Sequence, residues 1–199
     1  MKINREKVEQ LVRTMKPLFT DSSRASQIKT KGACDYVTQV DIQVQKLIKE
    51  GLYQMYPQVQ FMGEEQDNTA IDRKGDFWIL DPVDGTTNLI HDFRHSTLSL
   101  AYAEEGTVEL GIVYQPYTDE MFVAVKGKGA FLNGKPIHVS EAKTLSESLV
   151  TIGTSPYYHE LADWIFKVFK EVFLSCQDIR HLGSAALDMA YVACGRVDA

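Results

Sequence analysis

The stretch Trp78-Ile79-Leu80-Asp81-Pro82-Val83-Asp84-Gly85-Thr86-Thr87-Asn88 constrains this chain more than any other. Its apolar start, Phe77 to Leu80, has the length and side chains of a short buried strand. The strand ends in two carboxylates three residues apart, with Pro82 fixing the turn between them and removing a backbone donor. Gly85 then permits close approach of the backbone to a ligand. A buried carboxylate is costly unless it is paired or bound to a cation. One use of Asp81 and Asp84 is therefore an all-oxygen site for a hard divalent cation such as Mg2+. An acidic surface turn capping a helix uses the same residue types, and spacing alone leaves both readings open.

A chain of 199 residues, 44% of them hydrophobic, is enough for one large or two small domains with a proper core. The formal net charge of -6 argues against a surface that coats nucleic acid. No apolar run reaches transmembrane length, and the first ten residues lack the apolar core of a signal peptide. Cys34, Cys176 and Cys194 are odd in number and far apart, which suits reduced thiols in a cytoplasmic protein.

Along the chain, an apolar stripe of Val8, Leu11, Val12 and Met15 predicts a helix over 4–16, capped by Asn4 and ended by Pro17. Residues 20–33 read as a polar loop. Thr38 with Asp41 resembles a capping box opening a second helix, whose buried face is Val40, Val44, Leu47, Ile48 and Leu52. Gln58 to Met62 is a strand candidate, and Gly63-Glu64-Glu65 again places carboxylates at the end of an apolar element. Thr97 to Ala103, Val108 to Tyr114, Glu120 to Val125 and Ala130 to Leu132 predict an antiparallel meander, with Asn133-Gly134 as a hairpin turn. The polar connection 136–147 is the best boundary, giving 1–137 and 138–199 as two domains. Beyond it come a strand at Ser148 to Gly153, a helix over 159–173 with Trp164 in its core face, a short strand at Cys176 to Arg180, and a last helix opened by Gly183-Ser184. The free N–H groups of that helix suit a phosphate, and its small residues equally suit tight packing. Arg196 to Ala199 reads as the start of another element.

Taken together, Gly63-Glu64-Glu65, the Trp78 to Asn88 stretch, Asp35 to Asp41, and Arg180 to Asp198 resemble the inositol monophosphatase family across nearly the whole chain. That family belongs to the Mg2+-dependent, Li+-sensitive sugar phosphatases. The resemblance implies a layered α-β-α-β-α sandwich with a large antiparallel first sheet and a second sheet incomplete in this chain. It implies two or three Mg2+ ions, with Glu64, Asp81 and the Val83 carbonyl on the first, Asp81 and Asp84 on the second, and Glu64 through water on a third. Thr86, oriented by Asp41, would position the attacking water together with Glu64. The N–H groups of Gly85 and Thr86 would bind phosphate, Asp84 would also contact the substrate, and Gly183, Ser184, Ala185 and Ala186 would lie against its polyol part. A lysine near the third ion corresponds to Lys29 or Lys31.

The implied reaction is hydrolysis of inositol 1-phosphate by a cytoplasmic homodimer that touches neither membrane nor nucleic acid. Fructose-1,6-bisphosphate, 3'-phosphoadenosine nucleotides and NADP(H) are alternative substrates, and a regulatory protein bound to transcription machinery is an alternative of another class. The family carries a further metal-binding aspartate after the last helix. The resemblance therefore implies that this chain is C-terminally truncated and that the 199-residue form has little activity.

Overall fold

The structure is a computed structural model that describes residues 3–21, 28–32, 35–154 and 156–199, with only the backbone described for 28–32, 35 and 36. Cys34 and the side chains of Lys29 and Lys31 lie outside the described residues.

Helix α1 (Arg5–Arg13) starts where the Asn4 side chain accepts the Lys7 N–H at 3.1 Å, and it buries Val8 and Val12. The predicted helix is present but ends at Arg13, and a second short helix follows it where an exit was expected. Pro17 sits in the first turn of α2 (Lys16–Thr20), where its missing N–H has no intrahelical partner to lose. The predicted loop over 20–33 is corrected at its C-terminal part: β1 (Ile28–Gly32) pairs antiparallel with β2 (Asp35–Thr38).

Helix α3 (Gln39–Met55) opens with both halves of a capping box, in which Asp41 substitutes for the usual glutamate. Its stripe of Val40, Val44, Ile48 and Leu52 is buried against the main sheet. Leu47, expected in that stripe, is 41% exposed because its position turns it to the outer face.

Among the described residues the main sheet has seven strands, ordered β3 (Gln60–Gly63), β4 (Phe77–Asp84), β5 (Thr97–Glu104), β6 (Thr107–Gln115), β7 (Glu120–Val125), β8 (Gly129–Leu132) and β9 (Lys135–Pro136). From β4 onward it is the expected antiparallel meander. The sheet as a whole is mixed, because β3 runs parallel to β4. Asn133 and Gly134, at φ 48° and 78°, close the last hairpin as the dipeptide predicts. Helices α1 to α3 cover one face over a core built around Trp78, Leu80, Leu98, Leu100 and Ile112. A short helix, α4 (Thr86–Ile90), follows β4 directly.

The C-terminal segment forms a second, two-stranded sheet. Strands β10 (Leu149–Thr151) and β11 (Asp178–Arg180) are parallel, and α5 (Ala162–Ser175) is the crossover between them. Asp198 and Ala199 run beside β10, with Asp198 N–H on Leu149 O at 2.8 Å and Thr151 N–H on Ala199 O at 2.7 Å. The last helix, α6 (Ala185–Ala193), returns to the main sheet, where Leu187 and Ala190 pack against Phe122.

Helix α5 does not bury the face its pattern predicts. Ile165 is buried, but Trp164 is 65% exposed, since two strands are too narrow to cover the whole stripe. Replacing Ile48 with alanine is therefore expected to cost about 2–5 kcal/mol. Trp164→Gln should cost about 0.5 kcal/mol or less, the range of exposed positions. Urea unfolding of the two variants checks this contrast, and equal losses would contradict the packing described.

Candidate functional site

The two carboxylates of β4 owe their shared direction to a bulge. Asp81 pairs with Ser99 and Asp84 with Thr97, so three steps along β4 match two along β5. In a regular strand, residues three apart point to opposite faces. One extra residue restores the phase, placing Asp81 and Asp84 on the same side as the i, i+2 pair Thr97 and Ser99. Pro82 sits within the bulge, where a missing donor breaks no ladder bond.

Glu64 arrives from the neighbouring strand. Strand β3 is in register with β4 up to Gly63 opposite Leu80, and the Glu64 N–H then donates to Leu80 O at 3.2 Å. Glu64 and Asp81 thus leave the ends of adjacent parallel strands side by side, and their carboxyls are hydrogen-bonded to each other. A Cβ at Gly63 would stand 2.4 Å from the Gln45 side-chain oxygen, so a larger residue here would displace the amide that accepts the Glu65 N–H at 2.9 Å.

Burial first, then the charges of Glu64 and Asp84, push the Asp81 carboxyl up to about 8. The Val83 N–H opposes this weakly by donating to Asp81 Oδ1 at 3.1 Å. Asp188 on α6 is pushed up to about 6, by burial and then by Asp84. Its Oδ1 is buried without a hydrogen-bond partner among the described residues.

On the other side, Asp41 is buried on the first turn of α3. Its Oδ2 accepts from Thr38 N–H at 2.8 Å and from Thr38 Oγ1 at 2.5 Å. Burial raises its pKa, and these two bonds pull it back. The other oxygen faces Thr86, whose Oγ1 lies 3.3 Å from Asp41 Oδ1 and 3.0 Å from the Val83 carbonyl.

Gly85 joins the strand to α4 at φ +90°, and a Cβ there would meet Gly183 O at 3.0 Å and His95 O at 3.1 Å. Asn88 holds this junction closed by donating to His95 O at 2.8 Å and Leu182 O at 2.7 Å. Asp84 is tied to α6, its Oδ2 accepting from Ser184 Oγ at 2.6 Å and Ala186 N–H at 2.7 Å.

The sequence-predicted residues therefore meet. Glu64, Asp81, Val83 and Asp84 form one group, Asp41 and Thr86 adjoin it, Gly85 touches Gly183, and Asp84 reaches Ser184 and Ala186. Ala185 stands exposed between the last two. Among the described residues no three acidic, histidine or cysteine side chains already stand in a metal-ligating arrangement. The donor set nevertheless fits a hard divalent cation, since three clustered carboxylates and a carbonyl are all oxygen. Burial and then repulsion keep a proton on Asp81, and the repelling charge is what a cation would neutralise. Sequence reasoning missed the clamps, Asn88 and Gln45, whose amides carry no signal until their distant partners are known.

The raised Asp81 carboxyl fixes a pH dependence. The unfolded chain releases this proton near the ordinary carboxylate value of about 4 and the folded chain near 8, so the folded state holds more protons between them. Stability without divalent cations should therefore fall as pH rises from about 4 to 8. Asp81→Asn should flatten that fall and be the more stable form at pH 8. Urea unfolding across this range tests it, and parallel curves for the two proteins would contradict the burial described.

The profile of the inositol monophosphatase family matches residues 2–199. Over 172 residues the chain is 37% identical to the inositol-1-monophosphatase of Rhizobium meliloti, covering 86% of this chain and 65% of that protein. It is 38% identical over 172 residues to Nus factor SuhB of Xylella fastidiosa, covering 85% of this chain and 61% of that one. The crystal structure of extragenic suppressor protein SuhB from Bartonella henselae superimposes with a TM-score of 0.90 at 30% identity, covering 96% of this chain and 75% of that chain. The chain spans less than two thirds of the length of these two curated relatives. With the family profile matching residues 2–199 and a relative 37% identical over 86% of this chain, this chain belongs to the inositol monophosphatase family.

Proposed function

We propose that the protein is a Mg2+-dependent phosphomonoesterase acting on inositol 1-phosphate or a similar small polyol phosphate. The observation that carries this reading is the convergence of Glu64, Asp81 and Asp84 beside the Asp41–Thr86 pair. Glu64, Asp81 and the Val83 carbonyl would hold one Mg2+, Asp81 and Asp84 a second, and Glu64 through water a third. Bound divalent cations neutralise phosphate charge, acidify water and stabilise the leaving alkoxide.

The protein's own groups aim the reaction. Asp41 Oδ2 is engaged by Thr38, so its other oxygen accepts from Thr86. With its single proton directed to Asp41 or the Val83 carbonyl, Thr86 Oγ1 can only accept from a water. That bond turns the water's free lone pair toward phosphorus, with Glu64 as the second orienting acceptor. The N–H groups of Gly85 and Thr86 hold phosphate oxygens, and the Gly183 to Ala186 segment, with Asp84, lies against the polyol. Water adds to phosphorus, the ester P–O bond breaks, and the alcohol departs with a proton. No covalent nucleophile is needed.

The names of the relatives support two uses of this fold. The Rhizobium protein favours the phosphatase. The Xylella Nus factor favours the second reading, a regulatory protein bound to transcription machinery. On the first reading the protein is a cytoplasmic homodimer inhibited by Li+. Cys176 and Cys194 are free thiols, and no helix among the described residues is long and apolar enough to cross a membrane.

Phosphate release by the protein as expressed from its gene should require Mg2+, fall with Li+, and be fastest on inositol 1-phosphate among small phosphate monoesters. Thr86→Ala and Asp41→Asn should each lower kcat roughly 100-fold with little change in KM. Failure to hydrolyse any of these esters would overturn the phosphatase reading. An Asp84→Asn protein that loses hydrolysis and keeps its growth phenotype would favour the regulatory one.

A further inference from the structure

We infer that Ser184 is a positioning residue for Asp84, so that α6 sets the cation affinity of the site through a carboxylate on another element. This inference rests on the metal-site reading above. Helix α6 has no side-chain cap of its own: Ser184 occupies the N-cap position, yet its hydroxyl does not turn back to the helix N–H groups. It donates instead to Asp84 Oδ2 at 2.6 Å, and the Ala186 N–H donates to the same oxygen at 2.7 Å. Asp84 thus caps the helix from β4, supplying the negative charge that a helix N-terminus favours.

Ser184 is fully buried, as is Thr97, whose Oγ1 lies 3.3 Å from Ser184 Oγ. The direction of that contact follows from proton count. An ionised carboxylate only accepts, so the Ser184 proton goes to Asp84, and Thr97 must donate to Ser184. The chain Thr97, Ser184, Asp84 therefore runs one way and fixes the carboxylate plane.

Two charge-assisted donors on Oδ2 leave Oδ1 as the oxygen for a cation. The carboxylate would then link α6, through Oδ2, to a cation held at the site. The Ser184 hydroxyl is spent on this link, which leaves substrate contacts in this segment to its neighbours and its backbone.

Calorimetric titration of Mg2+ into the chain tests the inference. Ser184→Ala should weaken Mg2+ binding roughly tenfold, the usual cost of removing a group that orients a ligand. Thr97→Val, which leaves α6 untouched, should weaken it in the same direction by a smaller factor. In an Asp84→Asn background, Ser184→Ala should cause no further loss, because the coupling passes through that carboxylate. A merely structural role for Ser184 would instead give the same loss with or without Asp84, which would overturn the inference. So would wild-type Mg2+ affinity in Ser184→Ala alongside weakened binding in Asp84→Asn. Unchanged binding in Asp84→Asn itself would remove the metal-site reading beneath it.

Discussion

Mutual repulsion among buried carboxylates is the constraint on which the rest of this structure depends. Glu64, Asp81 and Asp84 come from two adjacent strands and meet where the sheet ends. Like charges this close are tolerated only with a shared proton, strong donors or a cation. The fold supplies the donors wherever it can. Val83 N–H serves Asp81, Ser184 and Ala186 serve Asp84, and Thr38 serves Asp41. What the donors leave unbalanced falls on Asp81, whose carboxyl is shifted to about 8 by burial first and then by the charges of Glu64 and Asp84. A region that strains its own folded state is common at functional sites, where the ligand relieves the strain.

Much of this was legible in the sequence, for identifiable reasons. The strands of the meander announce themselves by apolar runs between turn residues, and Asn133-Gly134 fixes a hairpin by backbone preference alone. Thr38 and Asp41 make a local pattern, so the capping box was readable three residues apart. The acidic turn was readable as a list of oxygen donors, and the family resemblance assigned them roles. Other features were not readable, because their causes are distant in the chain. Nothing near Pro82 says that it completes a bulge, since that depends on which residue of β5 it faces. The role of Asn88 depends on a carbonyl 94 residues away. Two of the errors were errors of context. Pro17 breaks a helix in general but opens one here, and Leu47 belongs to an apolar stripe by composition but not by angle.

Helix α5 shows the same limit from the other side. Its pattern is that of a helix with a broad buried face, and among the described residues of α5 only Ile165 is buried. Periodicity reports what a helix can bury, while the neighbouring sheet decides how much it does bury. The main sheet has helices on both faces, with α6 on the second. Among the described residues, the β10–β11 pair is packed by α5 and flanked by Asp198 and Ala199.

The tie between Asp84 and α6 also bears on how the molecule is made. It closes a loop of 100 residues, and the Asn88 bond to Leu182 closes one almost as long. Contacts of such span contribute little until most of the intervening chain is ordered. The acidic turn and its helix cap are therefore expected to assemble late, onto a sheet that already stands. Helix α6 arrives in an electrostatic field that the earlier steps have already built, its N-terminus drawn to Asp84 and its Asp188 repelled by it, so the ions present while the chain folds belong to its folding conditions as much as to its chemistry.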